Sequence, residues 1–272
     1  MKADQEQLYA KYYKSLYGDY LKENVECFLA VELKLSQDVY IVDLGCGPVI
    51  QLERLRTLLP NATLVGLDNS QAMLRAKSVK MDSALLAQCD ITGTTAPTLP
   101  NLSSEQQLTL LCLGNTLALV SPSDYPKLAR FVATLISQLG AASARLVIEV
   151  RDGDEYKRFI GSRRVELLAY SHSGDAEQTE TSLSVQTLTL PTSPKSPETY
   201  SVQITYFHTH GKAAEYLRID EPDAYFVDLE AFNEALKECF APPVTPTPLS
   251  TKSGLKEGRL YKYDLQSPKG AT

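Results

Sequence analysis

A run of β-branched and aromatic residues, Val39, Tyr40, Ile41 and Val42, leads into an acid and a spaced glycine pair: Asp43, Leu44, Gly45, Cys46, Gly47. The run reads as a buried strand and the glycines as a tight turn. Glycine has no Cβ, so such a turn brings backbone N–H groups and the N-terminus of the following helix close to a ligand. Residues 49–59 are amphipathic, and a second apolar run over 63–67 ends at Asp68. Asp68 stands 21 residues after Gly47, at the strand end where a carboxylate meets the two hydroxyls of a ribose. By itself it reads equally as a cap for a helix starting at Asn69. A dinucleotide site for hydride transfer needs a further glycine at position 50, where Ile50 stands, so hydride-transfer cofactors are disfavoured.

The same rhythm continues. A helix restarts over 69–76, a third strand over 84–89 ends at Asp90, and a fourth over 108–113 ends at Gly114 and Asn115. A helix over 124–139 then leads to a fifth strand, 145–150, ending at Arg151. Strands alternating with helices predict parallel βαβ units with right-handed crossovers, an α/β sheet with helices on both faces. From residue 161 the period changes to two. Segments 165–170, 182–190 and 200–208 alternate between polar turns and predict an antiparallel sheet inserted after the fifth strand. A helix over 228–240 and a last strand over 258–265 return to the α/β pattern, and residues 1–36 carry helical spacing with a break near Gly18. The expected division is a core of 1–151 and 221–272 with a β-rich, substrate-side insertion of 152–220.

With 272 residues, 43% hydrophobic and 22% charged, the chain has material for a sizeable core, which excludes a short peptide module and global disorder. Lys and Arg number 27 against 33 Asp and Glu, a net charge of −6 that argues against gripping phosphate backbones, so nucleic acid is not an expected partner. The longest apolar stretch, 108–120, is broken by Thr109, Gly114, Asn115 and Thr116 and is too short to cross a bilayer, so no membrane association is expected. The first residues lack the apolar core of a secretory signal, and the five cysteines form no disulfide framework. The expected location is the cytoplasm.

Asp43, Gly45, Gly47, Asp68 and Asp90, in that order and spacing, resemble the S-adenosylmethionine-dependent class I methyltransferases, whose motif is acid-x-Gly-x-Gly after strand one and an acid after strand two. Asn69, Ser70, Met73 and Leu74 continue the likeness, which spans roughly residues 39–151; Val49 stands where a third glycine is common. The resemblance implies a Rossmann-like sheet and S-adenosyl-L-methionine as cofactor. It places that cofactor against Asp43, the loop Gly45, Cys46 and Gly47, against Asp68 and Asn69 at the ribose, Asp90 and Ile91 at the adenine, and Leu113. A narrower resemblance runs from Cys112, Leu113, Gly114, Asn115 and Thr116 through Val147, Ile148, Glu149, Val150 and Arg151 to the 225–240 segment. Here the chain looks like glycine N-methyltransferase and its relatives.

In that family the asparagine and arginine at these points hold the amino acid substrate, which carries over to Asn115 and Arg151. The chemistry agrees, because a guanidinium grips a carboxylate through two parallel hydrogen bonds and an asparagine supplies a neutral donor or acceptor. The plainer readings are an ion pair of Arg151 with Asp152, Asp154 or Glu155, and a turn role for Asn115. Among Tyr9, Tyr12, Tyr13, Tyr17 and Tyr20, the choice for a lid contact is Tyr17; a helix packing its rings on a core reads equally well. His172, His208 and His210 have no metal-ligand spacing, so no metal is expected, and no Gly-x-Ser-x-Gly or Cys–His nucleophile motif supports a hydrolase. The expectation is methyl transfer to the amine of a small molecule, foremost an amino acid. Alternatives are N- or O-methylation of an aminosugar or secondary metabolite, and a non-catalytic S-adenosylmethionine-binding scaffold. Relatives of this type are often oligomeric, which leaves a homo-oligomer open.

Overall fold

The computed structural model describes residues 6–7, 9–11, 13, 21, 39–76, 85–104, 106–150, 165–173, 179–189, 199–210, 213–220, 224–249, 259–266 and 268–269. The chain divides into two compact units, Gly18–Asp152 with Val227–Thr272, and Met1–Tyr17 with Gly153–Phe226. No helix among the described residues is long and apolar enough to cross a membrane.

In chain order the strands are β1 (Val39–Leu44), β2 (Thr63–Asp68), β3 (Leu86–Gln88), β4 (Gln107–Cys112) and β5 (Ser143–Val150). Next come β6 (Val165–Ser173), β7 (Thr179–Thr189), β8 (Thr199–His210), β9 (Ala213–Asp220) and β10 (Ala224–Tyr225), and then β11 (Thr247–Pro248) and β12 (Arg259–Gln266). The helices of the larger unit are α1 (Ile50–Leu58), α2 (Gln71–Arg75), α3 (Tyr125–Gln138) and α4 (Leu229–Cys239). Its seven-stranded sheet has the order β11-β12-β5-β4-β1-β2-β3. The first five strands pair in parallel, and β12 enters antiparallel against β5 over its full length, from Arg259 opposite Val150 to Gln266 opposite Ser143.

Strands buried on both faces need apolar residues at every position, and β1 is buried throughout. Tyr40, Val42 and Leu44 face a large core with α3 and α4, while Val39 and Ile41 face a smaller one with α1. In α3 the buried Leu128, Phe131, Val132, Leu135 and Ile136 follow the i, i+3, i+4 spacing of one helix face. Tyr125, Phe232 and Tyr263 join α3, α4 and β12 by edge-on ring contacts at 5.4 and 6.1 Å, and the Tyr263 hydroxyl donates to Asn233 Oδ1. Asp228 caps α4 by accepting the Ala231 N–H at 2.9 Å.

The smaller unit holds an antiparallel sheet in which β6, β7 and β8 pair in sequence, and β9 and β10 both pair with β8. The alternating segments expected between 165 and 208 are three of its strands; β9 adds a strand that the sequence pattern did not reveal. In the same unit Tyr9 and Tyr13, one helical turn apart, meet edge-on at 5.3 Å.

Gly66 lies mid-strand in β2, where glycine is ordinarily unfavourable. A Cβ there would stand 2.8 Å from Cys46 Sγ, Leu52 Cδ1 and Leu86 Cδ2, so the glycine lets β2, β3, α1 and the loop after β1 close together. Gly66→Ala is expected to lower stability by about 1–3 kcal/mol in chemical denaturation, the usual cost of overpacking.

Candidate functional site

The chain runs from β1 outward to β2 and β3, then returns across β1 to β4 and β5. Crossovers that leave in opposite directions open a crevice outside the carboxyl ends of β1 and β4. The glycine loop follows β1 at this place, and Gly114 and Asn115 follow β4.

The loop depends on left-handed backbone angles, with φ of 74° at Gly45 and 53° at Gly47. Gly45 and Cys46 both donate their N–H to Leu67 O, at 2.7 and 3.0 Å, which lashes the loop to the end of β2. Asp68 completes the fastening. Its Oδ2 accepts the Gly47 N–H and its Oδ1 the Ser70 N–H, each at 2.8 Å. The helix cap itself is Ser70, whose Oγ accepts the Met73 N–H at 3.1 Å. Val49, where a third glycine is common, also takes a left-handed φ of 59° despite its β-branch, and its side chain is fully buried in the smaller core.

Asp43 is the most unusual group of the site. Its carboxyl is 1% exposed, and among the described residues neither oxygen has a hydrogen-bond partner. Burial, and then the nearby Asp68 carboxylate, push its pKa up from 3.8 to about 7. Burial with Asp43 and Asp68 nearby raises the Cys46 thiol well above its usual range, and burial with Asp43 and Glu149 nearby raises Cys112. Both thiols stay protonated and inert at neutral pH, in keeping with the absence of a cysteine nucleophile motif.

Asp90 is exposed and closes its own turn, its Oδ1 accepting the Thr92 N–H at 2.8 Å and hydroxyl at 2.7 Å. Ile91 is buried beside it, and Leu113 is buried at the end of β4. Asn69 is exposed, and its carbonyl accepts from Gln88 Nε2 at 3.0 Å. Asn115 takes a left-handed φ of 67° in front of a short 3₁₀ turn, Thr116–Leu119. The structure thus brings Asp43, Gly45, Cys46, Gly47, Asp68, Leu113 and Asn115 to one end of the sheet. Arg151 and Tyr17 lie outside the described residues.

Two contributors escaped the sequence reading. The buried carboxylate of Glu149 accepts the Gly114 N–H at 2.7 Å, and Thr116 packs against Gly45. A single acid inside the otherwise apolar end of β5, Leu146 to Val150, was the signal for the first; the second had none.

No protein-family model matches the chain. Among solved structures it is similar to an amino pentose methyltransferase from Micromonospora echinaspora, with a TM-score of 0.59, 13% identity and 92% of each chain covered. It is also similar to a sugar N-methyltransferase from Streptoalloteichus sp ATCC 53650, with a TM-score of 0.55, 16% identity, and 92% of this chain and 86% of that one covered. A third is an S-adenosylmethionine-dependent methyltransferase from Clostridium acetobutylicum ATCC 824, with a TM-score of 0.57, 17% identity, and 94% and 96% covered. The fold is that of the class I S-adenosylmethionine-dependent methyltransferases. In sequence, the trans-aconitate 2-methyltransferase of Yersinia pseudotuberculosis is 36% identical over 63 residues, 23% of this chain and 24% of that protein. The corresponding protein of Paracidovorax citrulli is 38% identical over 63 residues. The match spans about a quarter of the length of these curated relatives.

The residues present fit a cofactor that carries both a cation and a ribose. A buried carboxyl without a partner among the described residues calls for a cationic or hydrogen-bond-donating one, and Gly47, at a left-handed φ of 53°, presents backbone without a Cβ in the turn beside it. The unfolded Asp43 carboxyl ionises near 3.8 and the folded one near 7, so the folded chain holds the extra proton between those values. The stability this proton contributes is present below that window and is lost as pH rises through about 7. Urea denaturation of the ligand-free protein at pH 5.5 and pH 8 is therefore expected to show lower stability at pH 8. Asp43→Asn should shrink that difference by at most about 2 kcal/mol, since only the span from pH 5.5 to about 7 contributes, at about 1.4 kcal/mol per pH unit.

Proposed function

We propose that the chain is an S-adenosylmethionine-dependent N-methyltransferase acting on a small amine. The observation that carries this reading is Asp43, buried and without a partner among the described residues, beside the glycine turn at the switch point of a methyltransferase fold. When bound, the cofactor supplies an electrophilic methyl group on a positively charged sulfur.

Each residue of the site then has a task. Asp43 accepts the donors of the cofactor's cationic end. Asp68 holds the loop through Gly47 and Ser70 and stands at the end of β2, where the ribose hydroxyls are met. Asp90 and the Ile91 backbone flank the adenine, with Asn69 at the ribose side. Asn115 orients the acceptor, and the likeness to the glycine N-methyltransferase relatives assigns its carboxylate to Arg151. The nucleophile is the neutral amine, so for an amine that arrives, or becomes, unprotonated, alignment and exclusion of water suffice without a dedicated base. Alignment of this kind supplies about 7–11 kcal/mol of barrier reduction in favourable cases.

Two acceptor classes compete. An amino acid is favoured by Asn115 and Arg151 standing in the sequence where the glycine N-methyltransferase relatives hold theirs. An aminosugar is favoured by the likeness of the whole chain to a sugar N-methyltransferase and an amino pentose methyltransferase. Mass spectrometry of reactions with free amino acids, aminosugars and simple amines separates them. Methylated amino acid supports the clamp, methylated aminosugar removes it, and binding of S-adenosylmethionine without any methylated product marks a silent scaffold.

Variants divide the two halves of the site. Asp68→Ala is expected to weaken cofactor binding at least about tenfold, a loss of about 1.4 kcal/mol or more in calorimetric titration; an unchanged Kd removes Asp68 from the ribose. Arg151→Lys should raise the acceptor KM and leave cofactor affinity nearly constant, because lysine cannot reproduce the two-pronged grip. Equal kinetics in the two proteins remove Arg151 from the site.

A further inference from the structure

The turn after β4 is built to be held from two sides. Gly114 and Asn115 take consecutive left-handed angles, φ of 64° and 67°. On one side the carboxyl group of Glu149, a residue only 1% exposed, accepts the Gly114 N–H at 2.7 Å, a bond across to β5. On the other, the next residue, Thr116, donates its hydroxyl to Leu113 O at 2.7 Å, with Gly45 O a further 3.3 Å neighbour. A Cβ on Gly45 would collide with Thr116 Cγ2 and Oγ1, so the bare backbone of the glycine loop lies directly against this side chain. Glu149, the turn, Thr116 and Gly45 form one packed chain of contacts from β5 to the loop after β1.

We propose that Glu149 and Thr116 are positioning residues that make the turn at Gly114 and Asn115 an extension of the glycine loop, so that a ligand seated on the loop also orders Asn115. The inference rests on the cofactor reading of that loop. It assigns the buried acid of β5 to the acceptor side of the site, and it makes cofactor binding the event that prepares the acceptor's contact. A ligand that stiffens Gly45 removes the freedom of Thr116 to withdraw. With Gly114 fastened to Glu149, the turn between them loses its remaining slack.

The test uses the full chain and S-adenosylhomocysteine as probe, with calorimetry for affinity and amide hydrogen exchange for order. In the wild type, exchange should slow by about tenfold or more both at residues 45–49 and at residues 114–118. Glu149→Gln keeps an acceptor for the Gly114 N–H and should preserve both effects. Glu149→Ala should lose the slowing at 114–118 and keep that at 45–49, with the Kd within about twofold of wild type. Thr116→Ser keeps the bond to Leu113 O but deletes the methyl group against Gly45. It provides an independent arm should Glu149→Ala not fold, and its slowing at 114–118 should also fall. Slowing confined to 45–49 in the wild type, or slowing at 114–118 that survives both Glu149→Ala and Thr116→Ser, overturns the coupling while leaving the cofactor reading intact. No binding of S-adenosylhomocysteine overturns the cofactor reading and the coupling with it.

Discussion

The Asp68 carboxylate holding two backbone N–H groups, those of Gly47 and Ser70, is the fastening on which the site depends. One oxygen fixes the glycine loop after β1 and the other fixes the turn into α2. Leu67 O takes Gly45 and Cys46 from the same strand end, so four backbone donors converge on two consecutive residues of β2. Bonds from a carboxylate to backbone N–H groups are stronger than neutral ones. They hold a loop whose left-handed angles would otherwise be one conformation among several.

This fastening has an electrostatic consequence. Asp68 is held as an acceptor close to Asp43, which has no partner of its own among the described residues and whose ionisation both burial and Asp68 oppose. Among the described residues Asp43 is therefore a buried acid without a partner at the switch point of the sheet, a place that suits the cation-bearing ligand we propose. The same loop lies against Thr116, and Thr116 adjoins the turn that Glu149 holds from β5. Strand order places these groups at the crevice; glycine at positions 45 and 66 lets them approach.

Much of this was legible in the sequence because the determinants are local. The apolar run into Asp43 and the glycine spacing forecast β1 and its loop; the alternation of strand and helix forecast the parallel sheet; and Asp68 lies at the end of β2, where it was expected. The other features arise from contacts distant in sequence. Glu149 reaches Gly114 across 35 positions, and Gly66 is explained only by the three side chains around it. The isolation of Asp43 is a property of packing that no spacing encodes. The strand β9 carries Ala213, Ala214 and Glu215, which are weak β-formers, and β11 is a two-residue edge inside a proline-rich stretch where proline is tolerated because one side needs no donor. Asp90 illustrates the converse: its position matched the motif, and what the structure shows is a local task, closing the turn to Thr92.

The most direct test of the account is a crystal structure of the full chain with S-adenosylhomocysteine. The account predicts the nucleoside at the carboxyl ends of β1 and β2, its ribose hydroxyls on the Asp68 carboxylate, and the amino group of its amino acid end within hydrogen-bond reach of Asp43. A nucleoside bound elsewhere, or at this end of the sheet with Asp43 still unpartnered and Asp68 untouched, would contradict it.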